Sequence, residues 1–214
     1  MAWLGGLVVA AVMMIGGRRE ATGASQALAF TLAPGASLEL DGDSTLHHYS
    51  AKAHGMKIDV SVDDARVVAA GKSSELEALI RGHVIKTFEL TVPVNGLASG
   101  EKGLDANMRK ALKGDLYKDI RFRMESYEVA APVVGATTFK IVLHGRLSLA
   151  GVERHVDVDA VGARSGAGVR LTGSKDLLMT DYQIKPPTMM LGTIKTANLI
   201  TVKFDATLRN GASS

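Results

Sequence analysis

Three histidines stand close together in the first third of the sequence, in the pattern His47-His48-x5-His54. Imidazole nitrogens are common ligands of zinc and other metals, so the cluster is a candidate metal site. On an extended strand, however, His48 and His54 would lie about 20 Å apart, at roughly 3.3 Å per residue. A metal site would need a sharp bend at Gly55 or ligands from elsewhere. We therefore expect half-exposed histidines and no metal, with His47 as a residue that contacts a ligand's head group or forms a structural hydrogen bond.

The other patterns that could support catalysis are incomplete. Asp157 and Asp159 have the spacing of paired carboxylates, but the valines between and beside them predict that their strand face is the solvated one. Gly71-Lys72-Ser73 resembles the end of a phosphate-binding loop, yet Arg66 stands where that loop requires its first glycine. The sequence has no Gly-x-Ser-x-Gly nucleophile elbow. We predict a protein that is not an enzyme and that uses no cofactor, with an isomerase or hydrolase as the weaker alternative.

The segment Thr180–Lys195 is unusually long for a plain connection and contains adjacent prolines. A stiff loop at one end of the fold could hold a polar head group through Tyr182 or Lys185. Asp181 and two methionines, Met189 and Met190, lie in the same segment. The alternative is a packed cap that contacts no ligand.

Composition narrows the function classes. The chain has 214 residues, which suits one domain, and its net charge of +3 is spread without a basic stripe, so we expect no nucleic-acid partner. The absence of cysteine excludes disulfides, thiolate metal sites and thiol catalysis. Aromatic residues make up only 5% of the chain, so the core must consist mainly of aliphatic and methionine side chains.

The N-terminus begins with an uncharged run, Ala2–Gly17, that has the length of a signal-peptide core. Small residues follow it, and Ala27-Leu28-Ala29 resembles a cleavage site. Arg18 and Arg19 lie after the run and not before it, so a retained membrane anchor and a cytoplasmic protein remain as alternatives. We predict a signal peptide over residues 1–27, a single domain over residues 28–210, and a periplasmic or secreted protein.

The remaining chain alternates between apolar and polar residues, with one strong helical pattern. Leu104–Tyr117 has helical spacing, with Asp105 in its first turn and Gly114 as its stop, and a shorter helix is predicted over Glu75–Arg81. The clearest strand patterns follow the longer helix, at residues 119–126, Phe139–Leu149 and Ala197–Arg209. A turn is predicted at Asp41-Gly42-Asp43, a flexible turn at Gly162–Gly168, a bulge at Gly173 and a loop over Thr180–Thr196.

Eight or nine antiparallel strands with one apolar face predict an all-β sandwich or closed barrel, and their length favours the barrel. The lumen of an eight-stranded barrel is either filled by side chains or able to hold one ligand, and the pattern alone leaves both open.

Four stretches together resemble the YceI-like family: GDSTLHHY (42–49), TFELTVPVNGLASGEKGLDANMRKALKGDLYKDIRF (87–122), GRLSLAGVERHVDVD (145–159) and LMTDYQIKPPTMMLGTIK (178–195). Where better-known members carry Arg-Asp-x-His-Leu, this chain has Asn107-Met108-Arg109-Lys110-Ala111-Leu112, which indicates a divergent subfamily. The resemblance implies an antiparallel lipocalin-like β-barrel of about eight strands, capped by one or two short helices. It also implies binding of a polyisoprenoid-like lipid tail, as a carrier or sequestering protein. A structural or stress-related periplasmic barrel with a filled core is the alternative.

On this reading, apolar side chains of the barrel, the helix and the late loop surround the tail. They are Met108, Leu112, Ile120, Phe122, Met124, Phe139, Ile141, Leu143, Leu147, Met189, Met190, Val202 and Phe204. The candidate head-group contacts are His47, Tyr182 and Lys185. The expected partner is an isoprenoid-like lipid, and transient membrane contact and a homodimer are left open.

Overall fold

The computed structural model describes residues 29–63, 66, 76–131, 133–166, 168–189 and 194–211. Strands dominate this part of the chain. In chain order they are β1 (Ala29–Leu32), β2 (Ser37–Ser44), β3 (His48–Ala53), β4 (Lys57–Val62), β5 (Ile85–Pro93), β6 (Leu97–Ala98), β7 (Asp119–Val129), β8 (Thr138–Leu149), β9 (Val152–Ser165), β10 (Gly168–Leu178), β11 (Thr188–Met189) and β12 (Ile194–Gly211). Two α-helices, α1 (Leu76–Arg81) and α2 (Lys102–Ala111), and two 3-10 turns, Val94–Gly96 and Met179–Tyr182, complete the described elements.

The strands form one antiparallel sheet in the order β4-β5-β7-β8-β9-β10-β12-β2-β3-β6, with β1 and β11 also paired to β12. The strands at the two ends of this order are neighbours in the sequence: β4 directly follows β3, and β6 follows β5 after a 3-10 turn. The β4–β5 ladder, which includes Lys57↔Thr91, continues as the β3–β6 ladder at Ala53↔Leu97. Between them the His54 amide donates to the Gly96 carbonyl at 2.8 Å. The sheet therefore curls round on itself, and the predicted antiparallel barrel is confirmed.

The three strongest strand predictions are confirmed as β7, β8 and β12. In β7 the alternation shifts by one residue at a bulge between Met124 and Ser126, after which Tyr127 points inward and is buried. The tight turn at Ala150-Gly151, where both residues have positive φ, sends the chain back from β8 into β9.

Both predicted helices are present, and they differ in how much they bury. Helix α1 buries Leu76, Leu79 and Ile80, whereas no residue within α2 is fully buried. Helix α2 ends earlier than the pattern predicts, with Lys113 in the left-handed region at φ 53° and the Gly114 amide bonded to the Arg109 carbonyl at 2.8 Å. Among the described residues, no helix has the length and apolar content that crossing a bilayer requires.

Four local predictions are wrong. Asp41-Gly42-Asp43 lies within β2 and pairs with Tyr49 and its neighbours in β3, because the ring of Tyr49 lies across Gly42, where a side chain would not fit. Gly173 is not a bulge but a regular residue of β10, and the ring of Phe204 lies against it.

The other two concern loops. Most of the predicted turn Gly162–Gly168 belongs to strands, since β9 extends to Ser165 and β10 starts at Gly168. The predicted loop Thr180–Thr196 contains part of the second 3-10 turn, the short strand β11 and the start of β12. Residues 1–28, and with them the predicted signal peptide, lie outside the described residues.

Candidate functional site

Two apolar cavities lie inside the barrel. The one next to α2 and the second 3-10 turn, here called the outer chamber, has a volume of about 120 Å³. The other, the inner chamber, has a volume of about 160 Å³. Hydrocarbon side chains supply nearly all of both walls.

The chambers are consecutive sections of one lumen. On four strands the residue that borders the outer chamber is followed, two positions away, by one that borders the inner chamber. These pairs are Leu40 and Leu38 on β2, Ile120 and Phe122 on β7, Leu149 and Leu147 on β8, and Val202 and Phe204 on β12. Two positions along a strand correspond to roughly 6.6 Å, so the chambers are stacked along the barrel axis. Leu177 of β10 borders both chambers and lies at their junction.

Each chamber suits a small hydrocarbon group. An apolar cavity of about 150 Å³ stays dry and accepts a benzene molecule, which has one carbon more than an isoprene unit. A chain that occupied both chambers would have to pass Leu177. Their stacking therefore suits an extended, branched hydrocarbon better than a bulky ring system.

Beyond the inner chamber the lumen is filled. The filled end, as we call it, consists of the side chains of α1 packed against inward residues of the barrel, among them Tyr127, Phe139 and Ile141. The Tyr127 hydroxyl donates to the Ile80 carbonyl at 2.9 Å and fixes α1 on the barrel, and burial raises the pKa of that hydroxyl. The Arg81 guanidinium lies 4.7 Å from the centre of the Phe139 ring.

The predicted tail-lining residues divide among these regions. Met108, Leu112, Ile120 and Val202 border the outer chamber. Phe122, Leu143, Leu147 and Phe204 border the inner chamber. Met124, Phe139 and Ile141 pack in the filled end and border neither chamber. The backbone of Met189 lies in β11, and Met190 lies outside the described residues.

Of the three predicted head-group residues, only Tyr182 reaches a chamber. It is 2% exposed and borders the outer chamber, and burial raises its pKa to about 12. His47 is exposed in the turn between β2 and β3, where its carbonyl accepts a bond from the Ser44 hydroxyl at 2.8 Å. Lys185 is exposed as well. The structure therefore does not bring these three side chains together.

The sequence reasoning missed several polar residues of the chamber walls, which are Tyr49, Lys175, Asn107, Thr196 and Ser37. Tyr49 of β3 borders the outer chamber, and burial raises its pKa to about 12. Lys175 of β10 borders the inner chamber and is the one charged residue among the described residues that line the two chambers. A signal for Lys175 was present in the sequence, since it interrupts the apolar register of Leu171, Gly173 and Leu177.

Helix α2 covers the outer chamber with Leu104, Met108 and Ala111. Its first turn is attached to the preceding loop by Asp105, whose carboxylate accepts bonds from the amide and the hydroxyl of Ser99, both at 2.7 Å. These two bonds hold the pKa of Asp105 below its ordinary value. The helix thus lies over the chamber as a lid that is held by polar bonds at one end.

The candidate metal and carboxylate residues lie on the outer surface of the barrel. His48 contacts Asp43 at 3.0 Å, and the hydrogen bond raises its pKa. Asp157 does not pair with another carboxylate but bonds His144 at 2.7 Å, which raises the pKa of that histidine. Within the described part of the chain, no three histidine, cysteine or carboxylate side chains are grouped as metal ligands would be.

Comparison with known proteins places this geometry in a family. The YceI-like domain model matches residues 36–208, whereas no curated protein matches the chain. A polyisoprenoid-binding domain from Saccharophagus degradans, implicated in plant cell wall breakdown, superposes with a TM-score of 0.60 at 14% identity and covers 86% of this chain and 99% of that one. BcnA of Burkholderia cenocepacia gives 0.58 at 14% identity, with coverages of 80% and 95%. The YceI protein of Campylobacter jejuni gives 0.51 at 16% identity, with coverages of 76% and 85%.

Proposed function

Since the chain belongs to the YceI-like domain family, we propose that it is an exported lipid-binding protein that holds a polyisoprenoid-like amphiphile in its barrel. The observation that carries this proposal is the pair of stacked apolar chambers with Leu177 at their junction. The name of the Saccharophagus degradans domain, which describes it as polyisoprenoid-binding, supports the same ligand class. The proposed role is to carry or sequester the lipid, and not to transform it.

The apolar walls supply enough free energy for useful affinity. Burial of hydrocarbon contributes about 25 cal/mol per Å², so about 330 Å² removed from water corresponds to roughly 8 kcal/mol, or a micromolar dissociation constant before the costs of association. A tail of two or three isoprene units threaded through both chambers has surface of this order. Specific polar contacts are not needed to reach that affinity.

The outer chamber is the proposed entrance. It is covered by α2 and by the segment from Met179 to Pro187, and Tyr182 lies at this position as a hydrogen-bonding group for the hydroxyl of an uncharged ligand such as a prenyl alcohol. Movement of α2 would open the chamber without unfolding the barrel, because α2 contributes no fully buried residue.

A lipid carrier of this kind takes its ligand from a membrane, and we propose transient membrane contact at the same end. Leu46, Leu178 and Leu199 are exposed there, by 67%, 41% and 47%. Leu178 and Leu199 face each other across the β10–β12 ladder, so their side chains form one apolar patch. Cosedimentation with phosphatidylglycerol vesicles should decrease when both are replaced by Asp. Export by the N-terminal segment and a homodimer stay predictions.

Native mass spectrometry tests the proposal directly. The full chain, expressed with its N-terminal segment and purified without detergent, should carry a copurifying lipid or take up added farnesol and geranylgeraniol. A protein that remains ligand-free with both alcohols would contradict the proposal and favour the filled barrel.

A variant at the junction makes this test specific. Leu177→Trp should reduce uptake of geranylgeraniol, whose 20 carbons must pass the junction, more than uptake of prenol, whose five carbons fit one chamber. Ser174→Trp, at an exposed outward position of the same strand that borders neither chamber, is the matched control and should retain both. Equal losses of the short and the long alcohol in Leu177→Trp would show that the chambers are not connected in the way we propose.

A further inference from the structure

Lys175 occupies a position of β10 that points into the barrel. It lies opposite Val202 in the β10–β12 ladder, while Leu177 lies opposite Ile200 and Gly173 opposite Phe204. Directly opposed residues of an antiparallel ladder share a face, and Val202 and Phe204 border the chambers. The side chain of Lys175 therefore extends from the lumen side of the sheet and borders the inner chamber.

This lysine has no counter-charge in the part of the chain that the structure describes. Its neighbours on the inward face of the β10–β12 ladder are uncharged, and no described carboxylate forms an ion pair with it. Lys203, on the outer face of β12, is by contrast paired with Asp41. An unpaired cation on an otherwise apolar wall lowers stability unless something compensates its charge.

Solvent reaches this level of the lumen. Although Lys175 points inward, it is only half-buried. The inner chamber also borders a seam in the barrel wall, because β1 pairs with β12, β4 pairs with β5, and no ladder joins β1 to β4 among the described strands. Leu32 and Ala36 lie on one side of the seam and Met56 on the other. An anionic head group near the ammonium can therefore retain water while its tail extends past Leu177 into the outer chamber, in the opposite direction to an alcohol whose hydroxyl lies at Tyr182.

We propose that Lys175 binds the anionic head group of the amphiphile, so that the ligand class narrows to lipids with a phosphate or a carboxylate. This inference rests on the proposed lipid-binding function and extends it. A lysine ammonium is a compact charge with three donors, which suits either anion. The apolar walls around it would strengthen the attraction relative to bulk water.

Three probes with the same 15-carbon tail test the proposal: farnesyl phosphate, farnesoic acid and farnesol, titrated into the full chain and followed by native mass spectrometry. Wild type should bind at least one of the two anions roughly tenfold or more tightly than farnesol. The anion bound more tightly then identifies the head group as phosphate or carboxylate. Equal binding of all three probes would overturn the role of Lys175 and leave the lipid-binding function intact.

Substitutions separate the charge from the packing. Lys175→Met retains an apolar stem, so farnesol should bind as before while the preference for the anion is lost, and Lys175→Arg should restore most of that preference. Lys140→Met, at an exposed position on the outside of β8, is the matched control and should behave like wild type. A preference for the anion that persists in Lys175→Met would overturn the proposal. Failure of every probe to bind wild type would instead contradict the lipid-binding function itself.

Discussion

The filled end and the chamber end of the barrel use the same strands for opposite purposes. At the filled end, Tyr127 and Phe139 project into the lumen and meet the apolar face of α1, so that side chains occupy the whole cross-section. Four or five residues away along the same strands, Phe122 and Leu143 border an empty space of about 160 Å³. Both sets alternate in the same way in the sequence. Inward orientation therefore does not decide whether a section of the barrel is filled.

The helices explain the difference. Helix α1 contributes three fully buried side chains and is fixed by the bond from Tyr127, whereas α2 covers the outer chamber with half-buried residues and is fixed by Asp105. One helix is part of the core, and the other is a cover. The barrel thus combines a rigid base with an adaptable entrance, which is what a carrier that loads and releases a lipid requires.

The largest expected effect comes from removing the helix side chain that fills the base. Leu79 is 1% exposed, so Leu79→Ala should lower the free energy of unfolding by about 2–5 kcal/mol, from lost burial and the cavity that remains. The equivalent truncation in the cover, Leu104→Ala, should cost about 1 kcal/mol or less. Urea unfolding followed by circular dichroism measures both. Similar costs for the two variants would show that the helices do not differ in the way the structure indicates.

Replacing a small inward side chain by a large one should destabilise the filled end more than the chamber end. Ala160 pairs with Ile141 at the filled end, and Ala160→Phe should lower the free energy of unfolding by about 1–3 kcal/mol because no space accepts the ring. Ala206 borders the inner chamber, so Ala206→Phe should cost less than Ala160→Phe.

Uptake of a ligand should rank the two variants Ala160→Phe and Ala206→Phe in the opposite order. Ala206→Phe should abolish uptake of farnesol in native mass spectra, because the ring occupies the inner chamber, while folded Ala160→Phe should retain it. If Ala206→Phe bound farnesol normally, the inner chamber would not be the ligand site.

The long strands could be predicted from the sequence because an alternation of ten residues or more has one consistent interpretation. The errors came from contacts with neighbouring strands. Asp41-Gly42-Asp43 has the composition of a turn, and the side chains of Tyr49 from β3 and Ile200 from β12 make a glycine necessary within β2. In the same way, the ring of Phe204 from β12 leaves no room for a side chain at Gly173 in β10.

The division of the lumen could not be predicted for a similar reason. The helical pattern of α1 identifies a helix but not the section of the barrel that it fills. Consequently Met124, Phe139 and Ile141 could not be distinguished in advance from Phe122 and Leu143. Lys175 could have been identified, since a charge within an apolar register is visible in the sequence.

The two tyrosine hydroxyls offer a smaller contrast. Tyr127→Phe removes the bond to the buried Ile80 carbonyl and should lower the free energy of unfolding by about 1 kcal/mol. Tyr182→Phe at the entrance should change stability less and should instead weaken binding of farnesol relative to the hydrocarbon farnesene. If Tyr182→Phe affected both ligands equally, Tyr182 would act through packing and not as a head-group contact.

The smallest effect should come from the polar attachment of α2, and it should depend on pH. The Ser99 bonds hold the pKa of Asp105 below its ordinary value of 3.8, so their contribution is complete above that value and is lost as the pH falls through the lower pKa of the folded protein. Asp105→Asn should therefore release bound farnesol faster than wild type at pH 6, with little change in the urea midpoint. As the pH falls through the lowered pKa of Asp105 in the folded protein, the carboxyl group of wild type becomes protonated, and the two release rates should converge. Asp115→Asn, an exposed carboxylate just beyond the helix, is the control and should match wild type at pH 6. A difference in release rate that did not shrink as the pH was lowered to the acid limit of folding would show that Asp105 does not hold the cover through its charge, because only the ionised carboxylate differs in charge from the asparagine.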